Sequence, residues 1–228
     1  DPTNISPIPV TATFSEDVTG FELGDVTVGN GTAGNFVVVS DREFTFEITP
    51  DADGVVTVAV AAGVARDAAG NYNTAAAKFR IIYDGTAPRV VSISPEAGAA
   101  GVPTDIGISA TFSEEMDKAL AEGAFSIEPA VGGIFRWVEN TMIFEPDVDL
   151  EYGTGYTVTI SPAAKDLAGN PLVVDYTWSF TTLTAPLNWA LIGGIISAVV
   201  VIVGSLVYFL VIRGKKGRQA GVRGVEPP

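Results

Sequence analysis

The sequence predicts an all-β fold: two β-sandwich domains in series, followed by one C-terminal transmembrane α-helix. Three observations lead to this prediction: alternation of apolar and polar side chains with a period of two through residues 8–181, an internal repeat, and a long uncharged apolar run near the C-terminus. Period-two alternation places the apolar side chains of a strand on one face. A comparable helical period is missing ahead of Trp189, apart from a short stretch over residues 116–121.

The clearest strands are predicted at residues 43–48, 56–60 and 176–181, where every second side chain is apolar. Asn-Gly, Asp-Gly and Gly-Gly pairs recur at short intervals between the strands. Such pairs are typical of tight turns, and closely spaced strands with turn signals favour a sandwich.

The repeat divides this β region into two units. TATFSE at residues 11–16 recurs as SATFSE at residues 109–114, and ARDAAGN at 65–71 recurs as AKDLAGN at 164–170. Two separate matches at nearly the same offset predict two related sandwiches. We therefore expect the following segments: a first domain at 1–84, a linker at 85–88, a second domain at 89–183, a juxtamembrane linker at 184–188, a transmembrane helix at 189–212 and a basic cytoplasmic tail at 213–228.

Both units resemble bacterial Ig-like domains. SPIPVTATFSEDVTGFELGDVTV with ARDAAGNYNTAA resembles the Ig-like repeats of large surface adhesins. PRVVSISPEAGAAGVPTDIGISATFSEEMD, AKDLAGN and YTWSFTT resemble the Ig-like domain of S-layer and cell-wall-associated proteins. The resemblance implies a non-catalytic surface role and further Ig-like repeats upstream. It also implies that the first unit either lacks its first strand or receives it from an upstream neighbour. An incomplete first unit would leave a sheet edge open to a strand from another chain.

The transmembrane helix is predicted from 24 uncharged residues, Trp189 to Ile212. A helix of that length is about 36 Å long, which is enough to cross a bilayer core. Trp189 stands at one end, and Tyr208 with the basic run RGKKGR stands at the other. Interfacial aromatic residues and a basic flank predict a single span in the plasma membrane, with an extracellular N-terminal part and a cytoplasmic tail. The alternative is a buried core helix.

Composition and charge exclude several classes of function. The chain has no Cys and no His, so disulfide scaffolds, Cys or His zinc sites and nucleophilic triads that need a His are excluded. Residues 1–188 carry 8 basic and 26 acidic side chains, a net charge of −18 that repels nucleic acid. We predict no enzyme. Trp137, Tyr156 and Trp178 are expected in the core rather than on a sugar-binding platform.

The acidic loops suggest a calcium site between the two domains. If the turn after TATFSE and the loop before the last strand lie at the N-terminal end of each domain, several carboxylates of the second domain approach the linker. The predicted ligands are Asp51, Asp53, Asp84, Glu114, Glu115 and Asp166. Ca²⁺ binds six to eight oxygens, and such an ion would stiffen the joint. The alternative is turn chemistry alone, because Asp and Asn commonly close turns through their own backbone.

The predicted function is structural: a membrane-anchored stalk or spacer built from Ig-like modules. Rigid modules in series suit that role because each folds around its own core and adds length. The alternative is an adhesion or ligand-binding ectodomain that recognises a protein or a glycan on a neighbouring surface.

Overall fold

The computed structural model describes residues 2–186 and 199–211. Residues 1–183 form one compact unit that contains two β-sandwiches, and the chain from Thr184 onward belongs to a second unit. The all-β prediction is confirmed for the first unit.

The first sandwich is built from short strands. In chain order they are β1 (Pro2–Thr3), β2 (Ile8–Thr13), β3 (Val18–Thr19), β4 (Val26–Gly29), β5 (Gly31–Val38), β6 (Glu43–Pro50), β7 (Gly54–Val60), β8 (Arg66–Asp67) and β9 (Phe79–Tyr83), with a 3-10 turn at Leu23–Asp25. One sheet has the order β1-β9-β7-β4 and the other β2-β6-β5, while β3 and β8 form a small separate pair. β1 pairs with β9 in parallel, and the other neighbours are antiparallel.

The second sandwich has a similar arrangement, with four strands in each of its two sheets and one short helix. Its elements are β10 (Val90–Ser94), β11 (Ala100–Val102), β12 (Ile108–Phe112), α1 (Lys118–Gly123), β13 (Phe125–Glu128), β14 (Gly133–Val138), β15 (Thr141–Pro146), β16 (Gly155–Ile160) and β17 (Tyr176–Thr182). The sheets have the orders β11-β17-β16-β13 and β10-β12-β15-β14. β11 pairs in parallel with β17, as β1 does with β9. The predicted strands at 43–48, 56–60 and 176–181 are β6, β7 and β17.

Each sandwich has its own core, formed by the alternate side chains that face inward from its two sheets. In the first, Phe46 and Ile48 of β6 meet Val56 and Val58 of β7. A second cluster in the same domain gathers five edge-on or stacked Phe contacts around Phe21 and Phe44. The second domain has one larger core, and its members include Tyr156, Trp178 and Phe180. Separate cores explain why the repeat can fold as two modules.

The short helix begins two residues later than the sequence predicts. Met116 forms a bridge with Asp166 instead of a helical turn. Asp117 then caps α1, because its carboxylate accepts a hydrogen bond of 3.0 Å from the backbone N of Leu120. Capping of this kind satisfies an amide that has no partner within the helix, which sets the helix start at Lys118.

The predicted transmembrane helix at 189–212 and the tail at 213–228 fall largely outside the described residues. Of this region, residues 199–211 are described, and they are helical with exposed side chains. Within residues 2–186 and 199–211, no helix combines the length and apolar character that a membrane crossing needs.

Candidate functional site at the interdomain joint

The interdomain joint consists of Asp84 and the linker residues 85–88, together with the side chains that bond to them. The last strand of the first domain, β9, ends at Tyr83 and leads directly into the joint. The backbone N of Asp84 donates to the carbonyl of Thr3 at 3.0 Å, which continues the pairing with β1. Pro88 at the other end of the linker is fully buried. The linker is therefore held at both ends.

Asp53 ties the linker to the first domain. It lies in the turn between β6 and β7, and its carboxylate accepts a hydrogen bond of 2.7 Å from the backbone N of Gly85. A second bond comes from the hydroxyl of Thr86. These two bonds lower the pKa of Asp53, since both favour the charged form of the carboxyl. The sequence places Asp53 at this junction as a metal ligand, and the structure shows it as a hydrogen-bond acceptor.

The loop 166–170 ties the linker to the second domain. Asp166 is 3% exposed, and its Oδ1 accepts the backbone N of Gly169 at 2.7 Å and of Asn170 at 2.8 Å. The side-chain Nδ2 of Asn170 then donates in two directions: to Oδ2 of Asp166 at 2.8 Å and to the carbonyl of Asp84 at 2.9 Å. One buried amide thus joins the second domain to the first residue of the joint.

Gly169 completes this loop because of its backbone conformation and its contact across the joint. Its φ of +99° lies in the region that favours glycine. A methyl group added there would lie 3.6 Å from Nδ2 of Asn4 in the first domain. The two domains are therefore in contact on this side as well.

An acidic cluster of Asp84, Glu114 and Asp166 lies at the same place. One carboxylate oxygen from each residue lies within 4.8 Å of the others. Partial burial of Glu114, followed by the negative charges of Asp84 and Asp166, raises the pKa of Glu114 above its ordinary value. Three carboxylates therefore lie close together at the joint. Among the described residues, no salt bridge involves any of the three.

Hard carboxylate oxygens at this spacing have the chemistry that Ca²⁺ prefers, but three residues supply only part of the six to eight ligands it needs. The structure brings together Asp84, Glu114 and Asp166 of the predicted set. The other predicted ligands, Asp51, Asp53 and Glu115, are exposed and lie outside this group. Both oxygens of Asp166 already accept hydrogen bonds from its own loop. The alternative prediction, that Asp and Asn close this turn through local hydrogen bonds, therefore describes the loop.

The equivalent loop of the first domain repeats the two bonds between Asn and Asp, but among the described residues no linker lies against it. Oδ1 of Asp67 accepts the backbone N of Asn71 at 2.8 Å, and Oδ2 accepts the Asn71 side chain at 2.8 Å. The side chain of Asn71, and then its backbone amide, lower the pKa of Asp67. Asn71 is exposed, whereas Asn170 is 7% exposed. Nearby, Asp17 pairs with Arg42 at 2.9 Å.

The aromatic side chains weighed as a sugar platform lie in the core, as predicted. Tyr156 and Trp178 are 2% and 4% exposed, and Trp137 packs against the same core. Nε1 of Trp137 donates to a carboxylate oxygen of Glu122 on α1 at 2.8 Å.

Sequence reasoning missed the bridge made by Asn170. The repeated Ala-Gly-Asn ending of the loop is visible in the sequence, but it predicts only a turn. The sequence signal that could have revealed the bridge is the recurrence of Asn in both loops. The backbone conformation of such a loop requires only the Gly, so it does not account for the Asn.

Comparison with known proteins agrees with the resemblance noted in the sequence. Two sequence profiles, each described as a bacterial Ig-like domain, match residues 5–82 and residues 84–182. No curated protein matches the chain.

Solved structures with partial similarity include an L,D-transpeptidase from Mycobacterium smegmatis, with 24% identity, a TM-score of 0.34 and coverage of 43% of this chain and 41% of that chain. L,D-transpeptidase 1 from Mycobacterium tuberculosis has 22% identity and a TM-score of 0.30, with 42% and 39% covered. The N-terminal part of the bacterial S-layer protein SbsC has 27% identity and a TM-score of 0.33, with 45% and 24% covered. The chain thus spans about two fifths of the transpeptidases it matches. From its sequence profiles and its fold, the chain contains two bacterial Ig-like domains in tandem.

Proposed function

We propose that this chain is a membrane-anchored cell-surface protein whose two Ig-like domains form a stiff, non-catalytic spacer. The observation that carries the proposal is the joint, where the linker is bonded from both sides. Asp53 holds Gly85 and Thr86 on the first domain, and Asn170 holds Asp84 on the second. A spacer needs this property, because a free linker would let the two modules fold back on each other.

Bending at the joint would break several of these contacts together. The neutral bond between the Asn170 amide and the Asp84 carbonyl contributes a net of about 0.5–1.5 kcal/mol, which favours the observed arrangement of the joint over arrangements that break it. The buried Pro88 adds a position with restricted φ. The joint therefore transmits force from one domain to the next instead of acting as a hinge.

The stiffness can be measured from spin-label distances. The chain has no Cys, so labels at Val38→Cys and Val138→Cys, both exposed, are specific to one site in each domain. We expect a narrow distance distribution for the full chain in detergent. The double change Asp53→Ala with Asn170→Ala should broaden it, and Asp51→Ala, in the same turn as Asp53, serves as the matched control. A broad distance distribution in the labelled chain that retains Asp53 and Asn170 would contradict the proposed spacer.

The membrane anchor rests on the apolar run at 189–212 and its basic flank. In this proposal the Ig-like domains are extracellular and the tail is cytoplasmic, in a single-pass plasma-membrane protein. Labelling with a membrane-impermeant maleimide in intact cells tests the topology. Val138→Cys should react from outside, whereas Lys216→Cys should react only after lysis. The reverse pattern, or loss of the chain from membranes in alkaline carbonate, would contradict the anchor.

Calcium at the joint stays a prediction. Of its predicted ligands, Asp84, Glu114 and Asp166 have carboxylate oxygens within 4.8 Å of one another. The proposed spacer does not depend on an ion there. If Ca²⁺ binds, it adds a further restraint to the joint by neutralising the acidic cluster.

Adhesion to a protein or glycan on a neighbouring surface is the second candidate function. It is favoured by exposed apolar side chains on loops of the second domain: Val148, Val173 and Val174 are 69%, 77% and 69% exposed. Replacing all three with Ser should abolish attachment to the partner surface if they form the contact. The spacer, by contrast, should keep its reach in the same variant.

A further inference from the structure

The two domains differ at one edge of one sheet. In the second domain, β10 covers the outer side of β12, with Ile93 opposite Ala110 and Ser94 opposite Ser109. In the first domain, β2 takes the place of β12 and is the edge of the β2-β6-β5 sheet. No strand within residues 2–186 and 199–211 pairs with its outer side. We call this outer side of β2, with the groove beside it, the open edge.

The backbone of the open edge points hydrogen-bonding groups outward. The backbone N of Phe14 donates to the carbonyl of Arg42 at 2.9 Å, so amides two and four residues earlier also face β6. The amides of Thr11, Thr13 and Ser15 therefore face away from the sheet.

The counterparts of these three residues in the second domain are Ser109, Thr111 and Ser113, which face β10. There the backbone N of Ser113 donates to the carbonyl of Arg89 at 2.9 Å. The hydroxyl of Ser113 accepts the backbone N of Arg89 at 3.1 Å. The repeat thus shows what kind of partner satisfies such an edge.

A groove of about 370 Å³ lies beside the open edge, between residues 10–15 and residues 73–77. Its apolar lining includes Phe46, Val58 and Val60. In the second domain, β10 fills the corresponding side of the sandwich by packing Val90 and Ile93 against the core. In the first domain, the groove is bordered on this side by residues 73–77, whose apolar members Ala75, Ala76 and Ala77 are small. Among the described residues, no strand fills it as β10 does in the second domain.

The charges around the open edge indicate which charged side chain the missing strand carries. Residues 1–84 carry 4 basic and 12 acidic side chains, and Glu16 follows the open edge directly. In the second domain the equivalent Glu114 follows Ser113, and Arg89 stands opposite Ser113 at the start of β10. A basic residue at that position would meet the acidic end of the open edge in the first domain.

We propose that the open edge binds an extended strand supplied from outside residues 1–228, which adds antiparallel to β2. The strand has the chemistry of β10: apolar side chains at the positions of Val90 and Ile93, and a basic residue at that of Arg89. A second copy of β2 is a poor occupant, because its apolar Val10 and Ala12 are already committed to its own core. Main-chain hydrogen bonds provide the affinity, and the groove selects the side chains.

The test adds a synthetic peptide of residues 88–96, PRVVSISPE, to the full chain and follows amide hydrogen exchange. At about 1 mM peptide, exchange at Thr11, Thr13 and Ser15 should slow by about tenfold. A control peptide with Val90→Lys and Ile93→Lys should leave these amides unchanged. Exchange at Ser109 and Thr111 in the second domain should not change with either peptide, because β10 already covers them.

A matched pair of variants separates edge pairing from loss of fold. Thr11→Pro removes an outward amide from the open edge, and Val38→Pro removes one from β5 at the opposite edge of the same sheet. Circular dichroism establishes that each is folded, and Thr13→Pro replaces Thr11→Pro if that variant is not. We expect the peptide to protect the Val38→Pro variant and not the Thr11→Pro variant.

Four results would overturn the proposal. The first is the absence of added protection at the open edge in the unchanged chain. The second is equal protection by the control peptide. The third is slow exchange at Thr11 and Thr13 before any peptide is added. The fourth is protection of these amides that rises with protein concentration alone, which would identify a second copy as the occupant.

Discussion

Replacing Asn170 with Ala should destabilise the second domain far more than the same change at Asn71 destabilises the first. Asn170 donates to the carboxylate of Asp166 and to the carbonyl of Asp84, and it is 7% exposed. Removing it leaves two acceptors that water reaches poorly. Hydrogen bonds to charged groups contribute about 1.5–3 kcal/mol and neutral ones about 0.5–1.5 kcal/mol, so the expected loss is about 2–4.5 kcal/mol.

Asn71 makes the equivalent bond to Asp67 but none to a preceding linker, and it is exposed. Its replacement should therefore cost less, because water can take over the bond to the carboxylate.

Urea unfolding of the full chain tests this difference. Circular dichroism follows both domains. In a chain with Trp189→Phe, the emission of Trp137 and Trp178 follows the second domain alone, since residues 1–84 contain no Trp. With a slope of about 1–3 kcal/mol per molar urea, Asn170→Ala should lower the midpoint of the second domain by about 1 M or more. Equal losses for the two variants would refute the reasoning, since they would show that the bond across the joint contributes nothing beyond the loop itself.

Three further predictions concern the same joint. Because the pKa of Glu114 is raised, the folded state binds its proton more tightly than the unfolded chain does. The free energy of unfolding should therefore fall as pH rises from the ordinary pKa of Glu through the raised one. Glu114→Gln should remove this pH dependence from the measured unfolding midpoints. Millimolar Ca²⁺ should raise the unfolding midpoint of the unchanged chain but not that of Glu114→Gln; no shift in either would contradict the calcium prediction. Gly169→Ala should cost about 1–2 kcal/mol because of its positive φ, whereas Gly123→Ala at the end of α1 should be neutral or stabilising; equal thermal midpoints would contradict the assigned strain.

The sequence predicts the sandwiches because strand alternation is a local property that the fold preserves. Phe44, Phe46 and Ile48 alternate in the sequence, and all three are buried in β6. The repeat likewise predicts that the two loops are equivalent, and in both the Asn side chain and backbone amide donate to the Asp carboxylate.

The partners of individual carboxylates could not be predicted in the same way. Asp84 adjoins the linker in the sequence, and Asp53 is predicted to reach it from the turn between β6 and β7. In the structure Asp53 accepts a hydrogen bond from the linker backbone, whereas Asp84 joins the acidic cluster. The difference depends on which way each turn directs its side chain, and this follows from packing of the two domains rather than from local pattern.

Asn170 shows how a repeated residue can acquire a new role without a change of type. In both loops the amide satisfies the carboxylate four residues earlier, and this bond requires only that the loop close on itself. The second hydrogen of the amide is then directed away from the carboxylate. In the second domain it meets the carbonyl of Asp84, the residue that precedes the linker. The stiffness proposed for the joint therefore follows from the second domain's own turn chemistry, because the loop that closes this domain also presents the donor that bonds to Asp84.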